Sequence, residues 1–110
     1  MTITDNGKNR IRDLIKDDTT SMEVGGDGTA PTSSDADLGN DLLLTKTPTV
    51  TTSNKTLTFS SLWYSTEGDG ETFREGGVFI NDILLDRYVY PDFSKDTNNE
   101  LTIIDIIKIL

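Results

Sequence analysis

The chain has no cysteine and no histidine among its 110 residues. Without thiols it has neither a disulfide staple nor a thiolate metal site, and without imidazole it lacks the commonest general base and transition-metal ligand. No apolar run is long enough to span a bilayer. The stretch from Thr2 to Lys16 lacks the apolar core of a signal peptide, so the expectation is a chain made and folded without its own export signal. Positive charge is scarce as well: 10 Lys and Arg stand against 19 Asp and Glu, for a net charge of −9. So acidic a surface repels phosphate backbones and anionic lipid, which sets aside nucleic acid and membranes as partners.

What is abundant is Thr and Asp, residues of strands and of turns respectively, in a chain only 34% apolar. Asn6 to Lys16 reads as a short amphipathic helix with Ile11, Leu14 and Ile15 on one face and Asp5 or Asn6 as its cap. A helix of this length is marginal alone and must dock, either on its own sheet or on a neighbouring subunit. A brief strand around Met22 and Val24 breaks at Gly25-Gly26-Asp27-Gly28. Thr29 to Asn40 is an ordered loop, with one helical turn expected at Ser34 to Leu38 and ended by Gly39.

From Leu42 onward strand signals dominate. Leu42–Thr45 and Thr49–Thr52 are short; Thr56–Tyr64 alternates, with Leu57, Phe59, Ser61 and Trp63 on one face. Glu67–Gly70 is a turn. Phe73–Ile80 and Ile83–Tyr90 form a hairpin through Asn81-Asp82, and Pro91 is expected to stop the second strand. The Ile-rich end, Leu101 to Leu110, predicts a strand buried on both faces for much of its length. The expectation is one mainly β domain, an antiparallel β-sandwich or barrel-like fold behind a short N-terminal α-helix. Its parts are a docking helix at 1–18, an ordered loop region at 19–41 and an antiparallel β core at 42–110.

Paired carboxylates can act as acid and base, but nearly all of them here sit in Gly- and Thr-rich turns, where acidity is ordinary. No group stands ready to activate a Ser or Thr nucleophile. The expectation is therefore a protein that is not an enzyme and needs no cofactor. Gly25–Thr29 fails the phosphate-loop spacing and has no following Lys; it reads as a tight turn. Glu67, Asp69 and Glu71 in one turn, and Asp92 and Asp96 in another, are candidate oxygen ligands for Ca²⁺, although the spacing matches no EF-hand. Asn54-Lys55-Thr56 is a formal glycosylation sequon. The aromatics of the C-terminal half read mostly as core; Tyr64, Tyr88 and Tyr90, if exposed, would mark a ligand-facing or subunit-packing surface.

Several short motifs follow one another in a telling order: Gly7-Lys8-Asn9-Arg10-Ile11-Arg12-Asp13-Leu14-Ile15, Gly26-Asp27-Gly28-Thr29-Ala30-Pro31 and Ser34-Asp35-Ala36-Asp37-Leu38-Gly39. Glu75-Gly76-Gly77-Val78-Phe79, Ile83-Leu84-Leu85-Asp86-Arg87, Lys95 and Glu100-Leu101-Thr102-Ile103 complete the series. Over residues 7 to 104 this resembles a group of small virion proteins of tailed bacteriophages and archaeal viruses. Those proteins share a Gly-x-Asn-x-Ile-Arg-Asp-Leu start, a Gly-Thr-Gly-Thr-Thr-x-Pro loop and a Ser-Asp-Thr-x-Leu-Gly segment, then a Glu-x-Gly-Leu-Phe and a Leu-x-x-Arg strand. Asp27 and Ala30 depart from the usual Thr. The resemblance implies a structural part of the particle, of tail, fibre, collar or decoration type, assembled in the host cytoplasm. Its partners would be copies of itself and other virion proteins. Ile11, Leu14, Ile15, Gly26, Gly28 and Leu38 are the candidate assembly contacts. A receptor- or glycan-binding fibre tip using Tyr64, Tyr88 or Tyr90 is the alternative.

Overall fold

The computed structural model describes all of residues 1–110. Helix α1 spans Asp5–Asp18, and seven strands follow: β1 (Thr19–Gly25), β2 (Asp41–Lys46), β3 (Thr49–Ser53), β4 (Thr56–Trp63), β5 (Thr72–Ile80), β6 (Ile83–Ser94) and β7 (Leu101–Lys108). They form two antiparallel sheets, one ordered β2-β1-β5-β6 and the other β3-β4-β7. The fold is a mainly β sandwich with a short N-terminal helix, as the sequence predicts. The brief strand expected around Met22 and Val24 is there and is longer: β1 is an interior strand over residues 19–25, paired with both β2 and β5, so the loop region expected at 19–41 shrinks to 26–40.

Alternation builds the core. Leu57, Phe59, Ser61 and Trp63 of β4 all turn inward, where they meet Met22 and Val24 of β1, Phe73 and Val78 of β5 and Ile103 of β7. Trp63 and Phe73 pack edge to face with ring centroids 5.8 Å apart, and the indole N–H donates to the buried Ser61 hydroxyl at 3.0 Å.

Helix α1 is capped by Thr4, whose hydroxyl accepts from the Gly7 N–H at 3.1 Å, rather than by Asp5 or Asn6. It contacts β3 and β4. Arg12 donates to the Asn54 carbonyl, Lys55 pairs with Asp5 at 2.8 Å, and Ile15 packs against the core.

Three further expectations fail. Pro91 does not stop β6, which runs on to Ser94. β6 is an edge strand, where a missing N–H costs no ladder bond, and the register slips between the Glu75–Val89 and Phe73–Phe93 pairs. β7 is not buried on both faces: it is the edge of the three-stranded sheet, with Ile103 inward and Ile104 and Ile106 outward. The helical turn at Ser34–Leu38 does not form. There Asp35 accepts from the Thr32 N–H and hydroxyl, and Asp37 accepts from the Leu38 N–H, so side chains take the bonds a helix would have made. The β5–β6 hairpin is as expected: Ile80 pairs Ile83, and Asn81 and Asp82 both take positive φ, at 47° and 68°.

Candidate functional site

The outer face of the four-stranded sheet is covered by the loop from Gly26 to Asn40, and one carboxylate holds that loop down. Glu75 lies in the middle of β5 and is 0% exposed. Its Oε1 accepts from the Gly39 N–H at 2.7 Å and from Arg87 Nε at 2.9 Å. Its Oε2 accepts from the Asp27 N–H at 2.7 Å and the Asn40 N–H at 2.8 Å. Arg87, almost as buried, reaches further into the loop: it donates to the Asp35 carboxylate at 3.1 Å and to the Asp27 carbonyl at 3.2 Å. The two charges sit diagonally across β5 and β6, since Glu75 pairs Val89 and Gly77 pairs Arg87.

The neighbouring glycines make room on both faces. A Cβ on Gly25 would come within 2.7 Å of the Glu75 side chain, so the carboxylate needs that bare backbone to lie flat. On the inner face a Cβ on Gly76 would come within 2.6 Å of the Tyr88 ring, which is seated there. Leu38 packs over Gly77 on the outer face and is buried.

The electrostatics follow from this packing. Burial opposes ionisation of Glu75. The Asn40 amide, Arg87 and the amides of Gly39 and Asp27 together outweigh it and hold the carboxyl below the usual range. Burial also opposes the charge of Arg87, but Glu75 and Asp35 keep its pKa raised. Asp27 and Asp35 are lowered chiefly by hydrogen bonds from Thr29 and Thr32.

A second polar cluster lies where β6 and β7 run along the same open side of the sandwich. Asp105 of β7 meets Asp86 of β6. Burial, and then that neighbouring carboxyl, push Asp105 up to about 8. One Asp105 oxygen and the Tyr88 hydroxyl are buried without a partner, and burial pushes the Tyr88 phenol up. Tyr90 donates its hydroxyl to the Glu75 carbonyl at 3.0 Å. Beside this seam Tyr90, Pro91, Phe93, Leu101, Thr102 and Ile103 line an apolar groove of about 240 Å³. Glu75 and Asp105, both strand residues, are the exceptions to the expectation that nearly all the carboxylates sit in turns with ordinary acidity.

The structure separates the candidate assembly residues. Ile11 and Leu14 are exposed on α1, whereas Ile15 and Leu38 are spent on the chain's own packing. Gly26 donates its N–H to the Asn40 carbonyl at 2.8 Å and helps close the loop, and Gly28 is exposed. Of the three tyrosines, Tyr64 is 53% exposed, with the Lys46 ammonium 5.1 Å from its ring centroid. Tyr88 and Tyr90 pack against the core, so the three do not make one ligand-facing surface. Two of the carboxylates considered for Ca²⁺ already face cations: Glu67 pairs with Lys46 and Asp92 with Arg74. Nowhere do three or more carboxylates gather in a metal-binding cluster.

Sequence reasoning missed Glu75 and Arg87 as partners, and with them Asp27 and Asp35. The available signal was a Glu followed by two glycines and an apolar run within one strand, with an Arg on the next strand of the hairpin. Lys95, part of the motif series, proves to be buried, with its ammonium donating to the Asp96 and Asn99 carbonyls at 3.2 and 3.1 Å. The class defined by these features is a helix-capped antiparallel β-sandwich whose longest loop is fastened by a buried ion pair. Comparison with protein-family models, curated proteins and solved structures finds no match for this chain.

Proposed function

We propose that this chain is a structural protein of a virus particle, which self-assembles and docks onto capsid or tail as a tail, fibre, collar or decoration component. The observation that carries the reading is where its short motifs meet. Gly26–Pro31 and Ser34–Gly39 lie far in sequence from the hairpin motifs Glu75–Phe79 and Ile83–Arg87, yet Asp27, Asp35, Gly39, Glu75 and Arg87 converge on one buried network. That gives the motif order behind the resemblance a physical reason. The motifs set a rigid loop on a rigid sheet, as a building block needs.

Such a block acts through shape and surface. Apolar burial contributes about 25 cal/mol per Å² on contact, and charge sets the register. Ile11 and Leu14, exposed on α1, are the pair through which it would dock on other virion proteins. The test uses cells that produce the particles. Wild-type chain should co-purify with density-banded particles, and I11D/L14D should fold normally by circular dichroism yet be missing from them. Wild-type chain absent from purified particles would refute the assignment.

A further inference from the structure

We propose that β7 is a docking edge for a second copy of this chain, the two strands pairing antiparallel about a two-fold axis at Ile104. β7 is bonded on one side only, to β4. Ile109 donates its N–H to the Lys55 carbonyl, one rung past the Thr56–Lys108 pair. Bonded residues recur at every second position of an antiparallel ladder. The odd-numbered residues of β7 therefore face β4, and Thr102, Ile104, Ile106 and Lys108 turn their N–H and C=O groups to the open edge. An unprotected row of this kind is a template for another strand.

The side chains of the same residues form the outer face of the sheet. Ile104 is 59% and Ile106 63% exposed, and the exposed Leu62 lies on the Thr102 rung. An isologous contact makes this strand its own partner, and its sequence then selects the register. About Ile104, Ile104 meets its own copy, Thr102 meets Ile106, and Glu100 meets Lys108: an apolar centre closed at both ends by opposite charges. About Asp105 two carboxyls would face each other, and about Ile103 the Glu100 charge would face Ile106. Charge complementarity thus favours a second copy over an unrelated strand.

This contact is one on which the proposed assembly role can draw, and its test uses the purified full chain alone. Failure here leaves docking on particles standing, and absence from particles leaves the dimer standing. Sedimentation velocity over a concentration series should show a monomer–dimer equilibrium. Ile104→Pro deletes an N–H that points away from β4, so it should abolish the dimer with strand content unchanged by circular dichroism. Glu100→Lys or Lys108→Glu alone should weaken the dimer on the order of tenfold, and E100K/K108E should restore it. A wild-type chain that stays monomeric, a dimer indifferent to Ile104→Pro, or single swaps that the double swap does not rescue would each overturn the proposal.

Discussion

Replacing Glu75 with Gln tests what holds the long loop to the sheet. Gln keeps the shape but converts one acceptor into an NH2 donor, and each carboxylate oxygen already receives two donors. Turned one way, the new NH2 confronts the Gly39 amide and Arg87; turned the other, the amides of Asp27 and Asn40. Two bonds to a charged group are lost in either case, each contributing about 1.5–3 kcal/mol. Arg87 is meanwhile left buried without its nearest counter-charge. The expected loss is about 3–5 kcal/mol, the scale found on removing one partner of a buried ion pair, from a total stability of about 5–15 kcal/mol. Urea unfolding followed by the fluorescence of Trp63, the single and buried tryptophan, measures it directly. The native carboxyl is held below its ordinary range, so its contribution is complete above the unfolded value and is lost as pH falls through the folded one. Glu75→Gln should therefore also flatten the acid limb of the stability profile. A loss below about 1 kcal/mol with an unchanged acid limb would show that the loop is not held by this carboxylate.

Asp105 has the opposite sign: its folded value is raised to about 8, so the stability tied to its proton is whole below about pH 4 and drains away as pH rises towards 8. Asp105→Asn should raise the melting temperature at pH 8 to 9, with the gain shrinking towards pH 4. Gly76→Ala would press a methyl group into the Tyr88 ring and should cost about 1–3 kcal/mol in the same urea experiment, since that ring is walled in by the core. Asp82→Gly relieves a positive-φ residue in the β5–β6 turn and should stabilise the chain by about 0.5 kcal/mol, seen as a slightly higher urea midpoint.

Most of the fold was legible because its signals are local. Thr56–Trp63 alternates as a half-buried strand must, and Asn81-Asp82 carries the side chains that tolerate positive φ. The errors arose where position within the sheet decides. Pro91 reads as a stop until β6 is known to be an edge, and five isoleucines read as a doubly buried strand until β7 is known to be one as well. Of the buried network, the sequence shows only the glycine turn that opens the loop. Nothing local to Glu75 shows its burial, which depends on amides 35 to 48 residues away. Asp105 likewise owes its raised pKa first to burial and then to Asp86 on β6, neither of which its own strand shows.

A loop spanning Gly26 to Asn40 is ordinarily where a protease finds its first cut. Here the Asp27, Gly39 and Asn40 amides end on a carboxylate sealed between loop and sheet, so freeing the backbone for a cleaving enzyme means first tearing out a buried charge. Cleavage within this stretch should then keep pace with unfolding of the whole molecule, and a non-specific protease becomes a clock for that event.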